Sequence, residues 1–572
     1  MRRWPIISSS SDNPTSPPVT VVLPPKLSRP GETMPHDLST TRSSSRLPWA
    51  GGAALAIVLV SAAVLVYWFR PPPILPPPPS YTVVGSPREA DAEQVHRFCG
   101  TACHSYPPPD TFPRSLWRYE IKQAYDLFRD SNLSFPDFPS QESVALYYER
   151  RAPEELPPLK FEKPAQPLSK PWRRKDYSLP GEAGAPAVSN VNLVHLFDDR
   201  RLDILVCEMR RGQILALQAY LPEPTWRVLY SHGPDQGFNP AHAEVVDLDG
   251  DGIKDILVAN LGYMGVTDAP CGSVVWLRGL PEGRFEPHTL LEGIGRVADV
   301  QAADFRGVGK PDLVVASFGW RNRGAVYYLE NHTTDGKKPH FEPRVVDERH
   351  GTVRVPIGDL NGDGKPDFVA VISQEHETLV AFLNEGGRFR KETLYTAPHP
   401  AYATCGAELV DLNGDGKLDV LYTNGDSLDP VNLLKPYGSV QWLENRGTFP
   451  FFHHPLSPLY GAISATAADF TGKGSKDIVA VSFLASERYP QRQEQRLDSL
   501  ILMEQTAPGQ FARHSLETVS CDHFTCTSGD IYGDGMPRLV TGSFSFLVDA
   551  KLSSAVTVWE QEHPSRARSA AE

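Results

Sequence analysis

Basic charge is in short supply: 56 Lys and Arg stand against 69 Asp and Glu in 572 residues, a formal net charge of −13. A phosphate-binding surface needs the opposite balance, so nucleic acid is excluded as a partner. The chain also has no glycine-rich phosphate loop, dinucleotide fingerprint or nucleophile elbow with Ser, His and Asp, which leaves kinase and hydrolase readings without support. Cysteine is scarce, at seven residues. Cys521 and Cys526 flank Asp522-His523-Phe524 and are expected to close a loop disulfide, whereas Cys207, Cys271 and Cys405 read as small buried residues.

Residues 1–47 hold almost no aromatic side chains and are rich in Ser, Pro and Thr, the composition of a disordered tail. The segment 48–69 then lacks any charge and is bounded by Trp49, Tyr67 and Trp68, long enough for one transmembrane helix. Arg2, Arg3, Lys26, Arg29, Arg42 and Arg46 outnumber Asp12, Glu32 and Asp37 ahead of it, which places the N-terminus in the cytoplasm and the later domains outside. No small-x-small cleavage site follows Phe69, so the segment reads as an uncleaved single-pass anchor in the cytoplasmic membrane. Residues 70–82, with Pro71-Pro-Pro-Ile-Leu-Pro-Pro-Pro-Pro79, read as an extended spacer.

Between Leu193 and Leu539 an apolar strand, an acidic glycine-rich loop and a second apolar strand recur seven times. Three loops are intact. They are Asp247-Leu-Asp249-Gly-Asp251-Gly-Ile253-Lys-Asp255, Asp359-Leu-Asn361-Gly-Asp363-Gly-Lys365-Pro-Asp367 and Asp411-Leu-Asn413-Gly-Asp415-Gly-Lys417-Leu-Asp419. Ca²⁺ takes six to eight hard oxygens, and this spacing brings positions 1, 3, 5, 7 (by backbone carbonyl) and 9 onto one point. Four other copies are altered: Arg306 and Lys473 place a cation where a metal would sit, Arg538 replaces the last Asp, and the copy ending at Asp203 is shortened. The ninth position falls at residues 203, 255, 312, 367, 419, 477 and 538, a period that signals propeller blades.

The loop pattern resembles FG-GAP (VCBS-type) repeats, the calcium-loop propellers of integrin alpha subunits and many bacterial surface proteins. That resemblance implies a mainly β, seven-bladed propeller over residues 172–562 and Ca²⁺ at the matching aspartates, but no single activity. Blade seven lacks a fourth strand before the polar tail 563–572, and Trp172–Leu179 reads as the strand that supplies it beside Ala555–Glu560.

Residues 83–171 contain Cys99-Gly-Thr-Ala-Cys103-His104, flanked by helical patterns at Ala90–His96, Pro113–Phe128 and Ser140–Arg151. The phrase resembles a c-type haem attachment site, with one residue more than the usual spacing between the thiols. It implies a small cytochrome c-like domain in which Cys99 and Cys103 hold haem c and His104 ligates its iron. A disulfide or reduced thiol pair is the alternative. No Met lies between Pro71 and Lys175, so the second axial ligand is left open. The whole arrangement is similar to large haem-propeller proteins of environmental bacteria such as Planctomycetes.

The loops opposite the acidic ones carry His242, Arg296, Arg354 and His523 at blade entries, and Glu208, Asn260, Trp320, Gln374, Glu375, His376, Asn424 and Asp426 after the second strands. His242, Arg296, His376 and His523 are the candidate catalytic residues, a set suited to binding a carbohydrate or acid and moving a proton. Two functions follow from different classes. One is an anchored periplasmic electron-transfer protein with a redox partner and a propeller-bound small molecule; the other is a non-enzymatic calcium-dependent propeller that binds polysaccharide or protein at the cell envelope.

Overall fold

The structure, a computed structural model, describes residues 88–561 apart from 102–103, 132, 161–167, 169, 182–183, 234–235, 335–337, 430 and 553. The tail, the segment 48–69, the Pro-rich linker and Cys103 lie outside the described residues. Among those described, no helix is long and apolar enough to cross a membrane.

Seven antiparallel sheets follow one another along the chain, and in the first six the strands are ordered as in the sequence. The cause is visible in the second strand of every sheet. Asp203–Glu208, Asp255–Asn260, Asp312–Ser317, Asp367–Ile372, Asp419–Asn424, Asp477–Ser482 and Arg538–Ser543 are six residues long and buried throughout. Such a strand has apolar neighbours on both faces, which only a stack of sheets provides. The outer strands are correspondingly exposed, as Thr225–Ser231 illustrates.

First strands contact the first strands of the next blades around a closed ring, so the protein is a seven-bladed β-propeller. Seven hydrophobic clusters each join neighbouring blades. Leu205, Ile256 and Val258 bridge blades one and two, for example, and Val206, Leu215, Val540 and Val558 bridge one and seven. Blade four departs from the pattern, because Pro356 lies between two short inner segments, Thr352–Arg354 and Ile357–Gly358.

Blade seven takes its fourth strand from the front of the propeller. Trp172–Tyr177 pairs antiparallel with Val556–Gln561, from Trp172 opposite Gln561 to Tyr177 opposite Val556. Trp172 continues inward against Phe470, with ring centroids 5.5 Å apart.

Before the propeller, helices α1 (Ala92–Thr101), α2 (Trp117–Asp130) and α3 (Gln141–Arg151) enclose an aromatic core. Trp117 stacks on Tyr148 at 3.8 Å, and Phe98 meets Tyr125 and Phe128 edge-on. The Ser140 hydroxyl accepts the Ser143 N–H and so starts α3.

The cysteines correct one expectation. Cys521 and Cys526 are both free and buried. Cys526 lies in the strand His523–Gly529, and near-extended chain at about 3.3 Å per residue separates the two by roughly 15 Å. A disulfide needs Cα atoms within about 7 Å. Cys521 instead packs beside Leu484 and Tyr489, and Cys526 in the core between blades six and seven.

Candidate functional site

The propeller presents two chemically different faces. On the first, each acidic loop joins an inner strand to the second strand. In the intact loop of blade two, Asp247 accepts N–H bonds from Gly250 and Gly252 at 2.8 and 3.0 Å, and Asp251 accepts from Ile253 at 2.8 Å. Gly252 has φ of +82°, the left-handed conformation that this turn requires. The loops at Asp359 and Asp411 repeat these bonds, through Gly364 and Gly416.

Asp255 closes the loop from below, accepting from Leu248 at 2.9 Å and from Gly279 in the third strand at 2.6 Å. Asp367 and Asp419 make the corresponding bonds to Leu360 and Asn384, and to Leu412 and Asn445. Burial pushes the carboxyls of Asp255 and Asp419 up to about 6. Each ninth-position Asp therefore pins loop to blade before any ion is considered.

The loops differ in what balances their charge. Oxygens of Asp247, Asp249 and Asp255 lie within 4.8 Å of one another, a spacing that fits Ca²⁺. Arg278 also reaches this loop, donating to Asp249 and Asp251 at 2.7 Å each. In the loops at Asp359 and Asp411 the cations are Lys365 and Lys417, on exposed Asp363 and Asp415. Blade three shows the fully substituted form. Arg306 grips the buried Asp312 with two bonds of 3.0 and 2.9 Å and also donates to Asn331 O and Glu330. Lys473 pairs with Glu504, and Arg538 with Asp534.

On the opposite face, the helices pack over the loops of blades three to six. Arg321 donates to Gln123 of α2 at 3.4 Å, and Tyr460 accepts the Leu159 N–H at 2.9 Å. Glu120 of α2 lies near Asp429 and Lys435. Burial, with Asp429 adding to it, raises its carboxyl to about 7. These docking residues carry no motif, and the sequence gives no warning of them.

Beneath the helices, His350, Glu375 and His376 converge. The His350 Nε2 lies 3.0 Å from Glu375 Oε1, and the His376 Nε2 3.9 Å from the same oxygen. Burial pushes the Glu375 carboxyl up, but its bond to His350 outweighs this and holds it below the usual range. Burial keeps His376 below the ordinary imidazole value. An open cavity of about 740 Å³ adjoins them, lined by Asp347, Glu348, Arg349, His350, His376 and Lys391. His350 belongs to no motif, and it stands beside the left-handed Gly351 at the entry to blade four.

The other sequence candidates serve separate partners. His242 pairs with the fully buried Asp299 at 2.9 Å. Arg296 donates to Gly319 O at 3.1 and 2.8 Å and lies over the Phe318 ring. His523 meets Glu517 at 2.7 Å. Glu208, Asn260 and Asn424 staple turns through backbone bonds such as Glu208 to the Ala187 N–H and Asn260 to the Asn239 N–H.

Residues 359–422, which include two intact acidic loops, match the family model described as FG-GAP-like repeat. The chain carries an FG-GAP-like repeat. The seven-bladed propeller displays the acidic loops on one face and the histidine cluster on the other. No curated protein matches the chain. Similar solved structures include BBS1N in complex with ARL6DN, soaked with lead, at 10% identity over 69% of this chain and 99% of that one, with a TM-score of 0.39. The exotype rhamnogalacturonan lyase YesX is similar at 14% identity over 69% of this chain and 75% of that one, with a TM-score of 0.37.

The haem phrase lies at the edge of the same helical layer. Cys99 sits in the last turn of α1, half-buried beside Tyr148, and desolvation raises its thiol to about 11. His104 Nδ1 lies 2.7 Å from the Ser105 carbonyl, so Nδ1 donates and Nε2 is left as the acceptor. A hydrogen bond of this kind orients an imidazole for metal ligation. The donors fit haem c in type: a half-buried thiol and an oriented imidazole. Burial lowers His104, opposed by its Ser105 bond and by the charge of Glu375 on the propeller.

Proposed function

We propose that this chain is a membrane-anchored, extracytoplasmic binding propeller whose helical layer carries haem c, and that electrons pass between the haem and a ligand or partner held on the helix-covered face. The observation that supports it most is His104, half-buried with Nε2 free to accept, and close enough to the propeller for Glu375 to influence its charge. Cys99, Cys103 and His104 would hold the group, which supplies one-electron chemistry when bound. Residues 48–69 would tether the assembly to the cytoplasmic membrane.

Exported with haem-maturation machinery, the full chain is expected to give a pyridine haemochrome spectrum and a haem stain that survives denaturing electrophoresis, both lost in C99S/C103S. Wild-type protein without the stain would discard the electron-transfer reading. The intact acidic loops favour a second reading in that event, a calcium-dependent propeller that binds polysaccharide or protein at the envelope.

Calcium at the loops of Asp247, Asp359 and Asp411 belongs to both readings. A ligand at a hundred times its Kd adds about 2.7 kcal/mol to stability. Chelation is therefore expected to lower the propeller's melting temperature, and restored Ca²⁺ to return it. An unchanged melting curve would show that these loops hold by their backbone bonds and lysines alone.

A further inference from the structure

We propose that His350, Glu375 and His376 bind one first-row divalent transition-metal ion, with open coordination positions facing the adjoining cavity. The proposal stands apart from the haem reading, because all three ligands come from loops of blade four and none from the helices.

Their ligand atoms lie within 4.8 Å of one another. Around an ion with bonds of about 2.1 Å, neighbouring ligand atoms are roughly 3.0 Å apart in an octahedron and 3.4 Å apart in a tetrahedron. The His350 contact of 3.0 Å and the His376 contact of 3.9 Å bracket those values. A hydrogen bond explains only the first. At 3.9 Å the second imidazole is too far to hydrogen-bond the carboxylate, yet its ring is held 5.1 Å from that of His350, centroid to centroid.

The backbone is bent to bring them there. Gln374 and Glu377, on either side of Glu375 and His376, have φ of +60° and +39°. Left-handed conformations at residues other than glycine cost free energy and concentrate at ligand-holding loops. Gly351, at φ +89°, lets the His350 turn close on the neighbouring loop, where a Cβ would stand 2.8 Å from Ser373 O.

Two imidazoles and one carboxylate form a borderline nitrogen and oxygen set. It suits Zn²⁺, Fe²⁺ or Mn²⁺ better than Ca²⁺, and three protein ligands leave room for another. The cavity supplies that room. Its wall carries Arg349 and Lys391, both paired to Asp347 at 2.8 and 3.0 Å, and Glu348, so the two cations there are balanced by two carboxylates. A small oxygen-donor molecule, held by the ion and by hydrogen bonds to these charged side chains, is the ligand class that fits.

Zn²⁺ titration of the full chain by calorimetry, with saturating Ca²⁺ keeping the acidic loops filled, tests the site. One Zn²⁺ per chain should bind at it. In His350→Ala/His376→Ala the affinity should fall by at least about 100-fold, the upper range for losing even an outer-shell partner. His332→Ala/His340→Ala, which removes an imidazole pair elsewhere with centroids 5.8 Å apart, should leave it intact. Wild-type protein that takes up no Zn²⁺, or equal affinity in the His350/His376 variant, overturns the proposal. Should that variant misfold, wild-type protein loaded with Co²⁺ gives the answer: visible bands of a nitrogen-ligated ion, displaced by one equivalent of Zn²⁺, support the site, and a featureless spectrum sinks it. The haem Soret band, read on the same samples, fails or survives separately.

Discussion

Arg306→Ala is expected to lower the stability of the propeller by about 3 kcal/mol, the lower range for stripping one partner from a buried ion pair. Asp312 has no exposed surface, and Arg306 holds both of its oxygens. Tyr328 and the Asn331 N–H still bond Asp312 after the substitution, at 2.6 and 2.8 Å, but they supply no countercharge. Arg306→Lys keeps the charge and loses the two-pronged grip, so it should fall between. Adding Asp312→Asn to the Ala variant removes the stranded charge and should recover part of the loss. Urea midpoints for wild type, Arg306→Ala, Asp312→Asn and the double variant measure the cycle, with Arg306→Lys read beside them. A midpoint unmoved in Arg306→Ala would mean that Asp312 never needed its cation.

Removing residues 172–177 should cost more. Six paired residues, at about 1 kcal/mol net per hydrogen bond, put the loss on the order of 5 kcal/mol. Side-chain links go with them: Lys175 to Glu560 at 3.0 Å, Arg174 to Glu517 at 2.7 Å and Thr557 to Asp176 at 2.8 Å. The strand Val556–Gln561 is then left as a bare edge, open to pairing with other copies. Size-exclusion chromatography should show concentration-dependent oligomers, and a peptide of residues 168–179 added in trans should return the monomer. A monomer with unaltered melting would show that the ring holds without this strand.

The blade period was legible because each loop's ninth residue opens a buried strand, so one pattern marks both the turn and the core. Arg306 was legible for the same reason: a cation at a metal-ligand position has only the ligand carboxylates to face. His350 was not. Its distance from Glu375 depends on how two loops of blade four leave the sheet, and no spacing in the chain encodes that. The docking of α2 through Glu120 and Gln123 was invisible too, since polar residues on a helix face read as solvated until a partner surface is known. Cys521 and Cys526 misled because nearness along an extended strand is distance in space.

The closing strand also sets a clock. Asp176 and Thr557, which meet in blade seven, are 381 residues apart in the chain. At a synthesis rate of about 5–20 residues per second, the first emerges roughly 20–75 s before its partner exists. Throughout that interval the front strand has no place to dock and the growing row of blades has an open end. Any chaperone that meets this protein during its birth meets it as an unclosed arc, and a ribosome that stalls before Val556 releases a product that cannot become a ring.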